Sequence, residues 1–204
     1  MSGAIFRSAL VRTVVVLLQL CGLLLAADLP GVWLDVPFVK QEKDGCGAAS
    51  IAMVMQYWQR QEHQPAGPDS DAALIQRELY SAKARGIYAS DMERYFKEKG
   101  FRTFTIRGEW EDLKQHLDKG RPLIVALKPA ALKPSHERDA RAHIGDGTPL
   151  HYVVVAGLDP GQGLVMVNDP AQRKLLKQDR SSFERDWSAA GNWTLLALPQ
   201  PADR

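Results

Sequence analysis

Cys46 stands between Gly45 and Gly47 and opens an apolar run, residues 48–58, that is rich in Ala and Met and free of Pro. Such a run predicts a buried, nearly all-round apolar helix over residues 47–61. A thiol at a helix start meets unpaired backbone N–H groups and the positive end of the helix dipole. Both favour the thiolate, which is the nucleophilic form of sulfur. The flanking glycines leave room for a reacting group to come close. Gln41, five residues upstream, carries an amide that can donate to an oxyanion formed when the sulfur attacks a carbonyl. The plain alternative for a free cysteine is a small buried hydrophobe.

Thiol catalysis also needs a base, and a group that orients the base. Five histidines are present. His63 and His116 fall on or beside polar helix surfaces and are expected to be solvated. His136 and His143 fall in the polar, irregular stretch 130–149. His151 alone opens a strongly apolar strand, HYVVVAGL at 151–158. A strand end fixes an imidazole better than a loop does. The turn sequence DPGQG at 159–163 predicts a hairpin with 164–168,. That hairpin brings His151 to the same end as Asp169 of the phrase VMVNDP,. A carboxylate there can accept the imidazole N–H and fix its tautomer. Taken singly, His151 also reads as a satisfied core histidine and Asp169 as a turn aspartate before Pro170.

These residues need a scaffold. Residues 28–40, with Pro30 and Pro37, read as an extended lead-in that sets Phe38 against the core. A helix over 71–83 is expected to be capped by Asp69 or Ser70, with Ala73, Leu74 and Tyr80 along its apolar stripe. A second is expected to start at Ser90, with Glu93 in a capping box and Gly100 as the stop. Alternation at 101–106 predicts a strand, 110–119 a helix, 122–128 a buried strand, 181–190 a helix and 193–198 a last strand. Helices come mainly first and strands mainly last, the order of an α+β domain.

Residues 1–27 read as a secretory signal peptide, leaving a domain over 28–204. Arg7 and Arg12 precede a thirteen-residue stretch, 13–25, that carries no charge, followed by Ala26 and Ala27. That stretch is shorter than the roughly 20 residues of a membrane-spanning helix. The alternatives are a retained anchor and a lipoprotein at Cys21. Without residues 1–27, 24 basic residues face 24 acidic ones. A formally neutral chain argues against a nucleic-acid partner. Cys21 leaves with the signal, so Cys46 is left as a lone thiol in an oxidising compartment, periplasmic or extracellular. HExxH, CxxC and GxxxxGK[ST] spacings are absent from the sequence, so neither a metal, a cofactor nor an ATP site is indicated,.

The phrase PFVKQEKDGCGAASIAMVMQYW, followed by HYVVVAGLD and then VNDP, resembles the C39 peptidase-like family of papain-like cysteine peptidases. The resemblance runs over residues 36–170. It implies a papain-like fold with a nucleophile helix packed on an antiparallel sheet. It implies Cys46 as nucleophile, His151 as base and Asp169 as its orienter. It implies an oxyanion hole made by Gln41 and the Cys46 backbone N–H. Better-known C39 domains sit at the cytosolic N-terminus of ABC transporters and cut leader peptides after a double glycine. This chain departs from them in lacking membrane-domain spans and a phosphate loop and in carrying an export signal. The expectation is an exported cysteine endopeptidase acting on a peptide or protein, touching the membrane only through an uncleaved signal. A transglutaminase-like acyl transferase and an inactive peptide-binding module are the alternatives.

Overall fold

The structure, a computed structural model, describes residues 31–128, 143–144 and 148–200. For His143–Ile144 and Thr148–Pro149 it describes the backbone alone. The expected signal segment and His136 lie outside the described residues.

One antiparallel sheet carries the domain. Its strands are β1 (Val32–Trp33), β2 (Phe101–Arg107), β3 (Leu123–Leu127), β6 (His151–Asp159), β7 (Leu164–Asn168), β8 (Leu176–Asp179) and β9 (Trp193–Pro199). They lie in the order β2-β9-β3-β6-β7-β8, with β1 added to the far half of β6. β6 is therefore central, and its continuous apolar run follows from burial on both faces. Tyr152, Val154 and Ala156 join the core that surrounds helix α1 (Cys46–Gln61). Val153, Val155 and Leu158 join a second core under α4 (Trp110–Asp118) and α5 (Arg180–Ala189), with Leu113, Phe183 and Trp187. Two helical layers thus cover a sheet between them.

α1 is the buried element the sequence predicts. Every residue from Cys46 to Met55 is buried, as is Tyr57. Burying each Ile, Val or Met side chain there contributes roughly 1.5–3 kcal/mol. The polar tips find partners: the Tyr57 hydroxyl donates to Gly120 O at 2.8 Å and the Trp58 indole N–H to Ala197 O at 3.0 Å. The far end of α1 is thereby pinned to β9. Phe38 packs against the same core, as the lead-in suggests.

Local signals were less reliable guides. Helix α2 (Ala72–Leu79) is shorter than 71–83, and its cap is Asp71, which accepts from Leu74 N–H at 2.9 Å. Ser70 closes the 3-10 turn Pro68–Ser70 and donates instead to Gln59 Oε1 at 2.8 Å. Ile75 and Leu79, not Ala73 and Tyr80, form the buried stripe. Helix α3 (Ala89–Glu98) starts one residue before Ser90, without a side-chain cap. Glu93 there bonds Lys97 at 2.6 Å and Thr105 at 3.0 Å rather than closing a box. β8 has no counterpart in the sequence reading, because LKQD at an edge has no alternation to detect. β4 (His143–Ile144) and β5 (Thr148–Pro149) pair within the stretch expected to be irregular. No helix among the described residues is long and apolar enough to cross a membrane.

Candidate active site

Cys46 is the first residue of α1 and is 7% exposed. Gly45, at the N-cap, has no side chain to occupy the first-turn N–H groups. A Cβ there would stand 3.0 Å from Glu42 O, whose carbonyl accepts the Gly45 N–H at 3.0 Å. Glycine thus permits the tight turn that delivers the sulfur to the helix start.

His151 opens β6 opposite Leu127 of β3. Its Nε2 lies 2.7 Å from Asp169 Oδ1. The last β6–β7 pair in this direction is Val154 with Asn168, so Asp169 has just left the ladder while β6 runs on to His151. The contact is made by side chains reaching past the ladder, not by cross-strand neighbours. With Nε2 committed to the carboxylate, Nδ1 is the nitrogen left for Cys46, whose side chain hydrogen-bonds the ring.

The electrostatics follow from this order. Burial pushes the His151 imidazole down. Its bond to Asp169, the hydrogen bond and charge of Cys46 and the charge of Asp169 outweigh that and raise it to about 10. Burial pushes the Asp169 carboxyl up, but His151, the Ala171 N–H and the Gln172 amide hold it below the usual carboxylate value. Tyr152, the next residue of the strand, stacks edge-on to Trp193 at 5.4 Å. Burial, then the charge of Cys46, pushes its phenol up.

Gln41 reaches the same end of the molecule through its backbone. Its N–H donates to Pro170 O at 2.9 Å. Its Oε1 is buried without a partner, beside a cavity of about 80 Å³ lined by Gly45, Ala48, Ala49 and Gln76.

Two further residues belong here that the sequence reading passed over. Asn168 is fully buried. Its Nδ2 donates to Val36 O at 3.2 Å and Pro37 O at 3.4 Å, and its Oδ1 accepts from Leu175 N–H at 2.9 Å. A polar residue ending an apolar strand was the available signal. Gln172 donates Nε2 to Asp169 Oδ2 at 2.6 Å. Nothing in the sequence singles it out from other surface glutamines.

Of the other histidines, His63 is exposed. His116 is not simply solvated: its Nδ1 is buried without a partner, and burial, with Arg121 and Lys119, pushes the ring down. Neither lies in the cluster. Among the described residues no three His, Cys, Asp or Glu stand together as metal ligands would.

The helices on an antiparallel sheet define a papain-like peptidase fold. The model of the Peptidase_C39 like family matches residues 33–195, and the chain belongs to that peptidase family. No curated protein matches it. Among solved structures it is similar to a candidate C39-like peptidase from Bacillus anthracis, with TM-score 0.61 and 20% identity over 84% of this chain and 98% of that one. It is similar to the peptidase domain of Streptococcus ComA, a bifunctional ABC transporter of a quorum-sensing pathway, with TM-score 0.55 and 22% identity over 80% and 98%. It is also similar to a double-glycine-motif protease from an AMS/PCAT transporter, bound to its leader peptide, with TM-score 0.56 and 21% identity over 83% and 95%.

Proposed function

We propose that this chain is an exported cysteine endopeptidase that uses Cys46, His151 and Asp169, with Gln41 in the oxyanion hole. The observation that carries the reading is His151 held between Cys46 and the buried Asp169. The raised imidazole favours a proton resting on His151, and in this mechanism that proton comes from the Cys46 thiol, which reacts as its thiolate. The thiolate attacks the scissile carbonyl carbon, a C–S bond forms, and the oxygen takes the negative charge. Gln41 Nε2 and the Cys46 N–H stabilise that oxygen. His151 then gives its proton to the leaving amine as the C–N bond breaks. A water next loses a proton to His151 and attacks the thioester, which releases the acid and restores the thiolate. Asp169 holds the ring tautomer and stabilises the imidazolium throughout.

A peptide substrate is supported by the leader peptide bound to the transporter protease of the same fold. Export is supported by the character of residues 1–27, with 28–204 as the exported domain,. The test is cleavage of a peptide library, profiled by mass spectrometry, with and without an added amine. Cleavage products that are free acids, absent with Cys46→Ser, are the expected result. Amine adducts in their place point to acyl transfer. Binding without products points to an inactive module.

A further inference from the structure

Both oxygens of Asp169 are occupied, one by His151 and the turn backbone, the other by a turn side chain. Oδ1 meets His151 Nε2 at 2.7 Å and the Ala171 N–H at 2.9 Å. Oδ2 meets only Gln172 Nε2, at 2.6 Å. Asp169 is 3% exposed, whereas Gln172 lies on the surface. Its backbone is fixed as well, because the Gln172 N–H donates to Asp169 O at 2.9 Å. The side chain therefore folds back over the carboxylate from the solvent side. The torsion that turns a carboxylate is broad and soft, so the two bonds at Oδ1, both made to a single oxygen, leave its plane free to turn about that atom,. A bond at Oδ2, to a charged acceptor, fixes it.

We propose that Gln172 is a positioning residue of the site, which clamps Asp169 Oδ2 so that Oδ1 stays aimed at His151. The inference rests on the proposed Cys46–His151–Asp169 mechanism. The titratable groups facing Asp169 are His151 from β6 and, through that ring, Cys46 from α1. In the turn itself Arg173 meets Asp169 through its backbone carbonyl, and Lys174 is engaged by Asp35.

The test uses Gln172→Leu, Gln172→Glu and Gln172→Lys, with Asp169→Asn alongside. Cys46 alkylation by iodoacetamide is followed across pH, with kcat and KM on a peptide found by library cleavage. Gln172→Leu should lower kcat about tenfold with KM unchanged. It should move the acidic limb of alkylation upward by about half to one pH unit, as the carboxyl loses a donor. Gln172→Glu should move the limb further, because a second carboxylate repels the first. Gln172→Lys restores a donor and should return the limb to the wild-type position or below. If all three keep the wild-type limb while melting lower, Gln172 only stabilises a turn and the inference is overturned. If Asp169→Asn leaves alkylation and turnover unchanged, the three-residue mechanism itself is wrong and this inference falls with it.

Discussion

The main-chain N–H of Gln41 donates to the carbonyl oxygen of Pro170 at 2.9 Å. This bond joins the loop before Cys46 to the turn that begins at Asp169. Asn168, next to that turn, binds Val36 and Pro37 of the same lead-in. The proposed oxyanion donor and the proposed orienter are thus placed by one set of contacts. Asn168→Ala leaves two buried backbone carbonyls and the half-buried Leu175 N–H without this partner. It should destabilise the protein by about 2 kcal/mol or more. Urea unfolding measures this, and a loss below about 0.5 kcal/mol would show that the clip is dispensable.

Cys46→Ser should leave the urea midpoint near wild type and lower peptide turnover by about 10⁴-fold or more. His151→Ala should cost about 100-fold or more, while His63→Ala, His116→Ala, His136→Ala and His143→Ala keep most activity. Steady-state cleavage of one peptide by all six variants decides the assignment. An inactive His143→Ala with an active His151→Ala would move the base to the other histidine.

Gln41→Ala and Asp169→Asn should fail in different ways. Gln41 acts on a charge that exists only during acyl transfer. Its removal should lower turnover roughly 100- to 1000-fold while haloacetamide alkylation of Cys46 stays close to wild type. Asp169→Asn should alter the pH profile of alkylation too. Matching alkylation profiles and equal turnover losses in the two variants would merge roles that are separated here.

The His151–Asp169 contact also predicts a pH dependence of stability. The raised imidazole contributes fully below its ordinary value of 6.5, and that contribution fades as pH rises through about 10,. The lowered carboxyl contributes above its ordinary value of 3.8 and fades as pH falls through its depressed folded-state value,. The stability advantage of wild type over His151→Gln should therefore be largest in mildly acidic solution and decline towards both limits. Denaturant midpoints across this range test the point; an advantage that grows above the ordinary imidazole value would reverse the sign.

Gly157 and Gly67 make a matched pair. A Cβ at Gly157 would stand 2.7 Å from Val32 O and 2.9 Å from Trp33 Cβ and Met166 Cε, where β1 crosses the bulge in β6. Gly157→Ala should cost about 1–3 kcal/mol. A Cβ at Gly67 meets nothing within 4 Å, so Gly67→Ala should stay within about 0.5 kcal/mol of wild type,. Equal midpoints for the two variants would mean that β1 yields without cost.

The sequence by itself determined α1 and the hairpin of β6 and β7. A Pro-free Ala- and Met-rich run and a DPGQG turn have few competing solutions, and apolar burial reinforces them. It also singled out Cys46 and His151, because each interrupts a pattern: a thiol between glycines, an imidazole heading an apolar strand. Caps and edges were poorly legible. Asp69, Ser70 and Asp71 are all good caps in a row, and which one serves depends on where tertiary packing starts the helix. Ser70 is drawn away by Gln59, and LKQD becomes a strand because β7 offers it a ladder. Only the tertiary structure decided that Asn168 clips the lead-in, that Pro170 receives Gln41, and that Gln172 covers Asp169. The Gln172 contact depends on how a short turn folds back. In the first two cases a hydrogen bond between residues more than 100 positions apart leaves no periodicity in the chain. It exists because the sheet brings two remote backbones within 3 Å or so, where an unmet polar group would be costly.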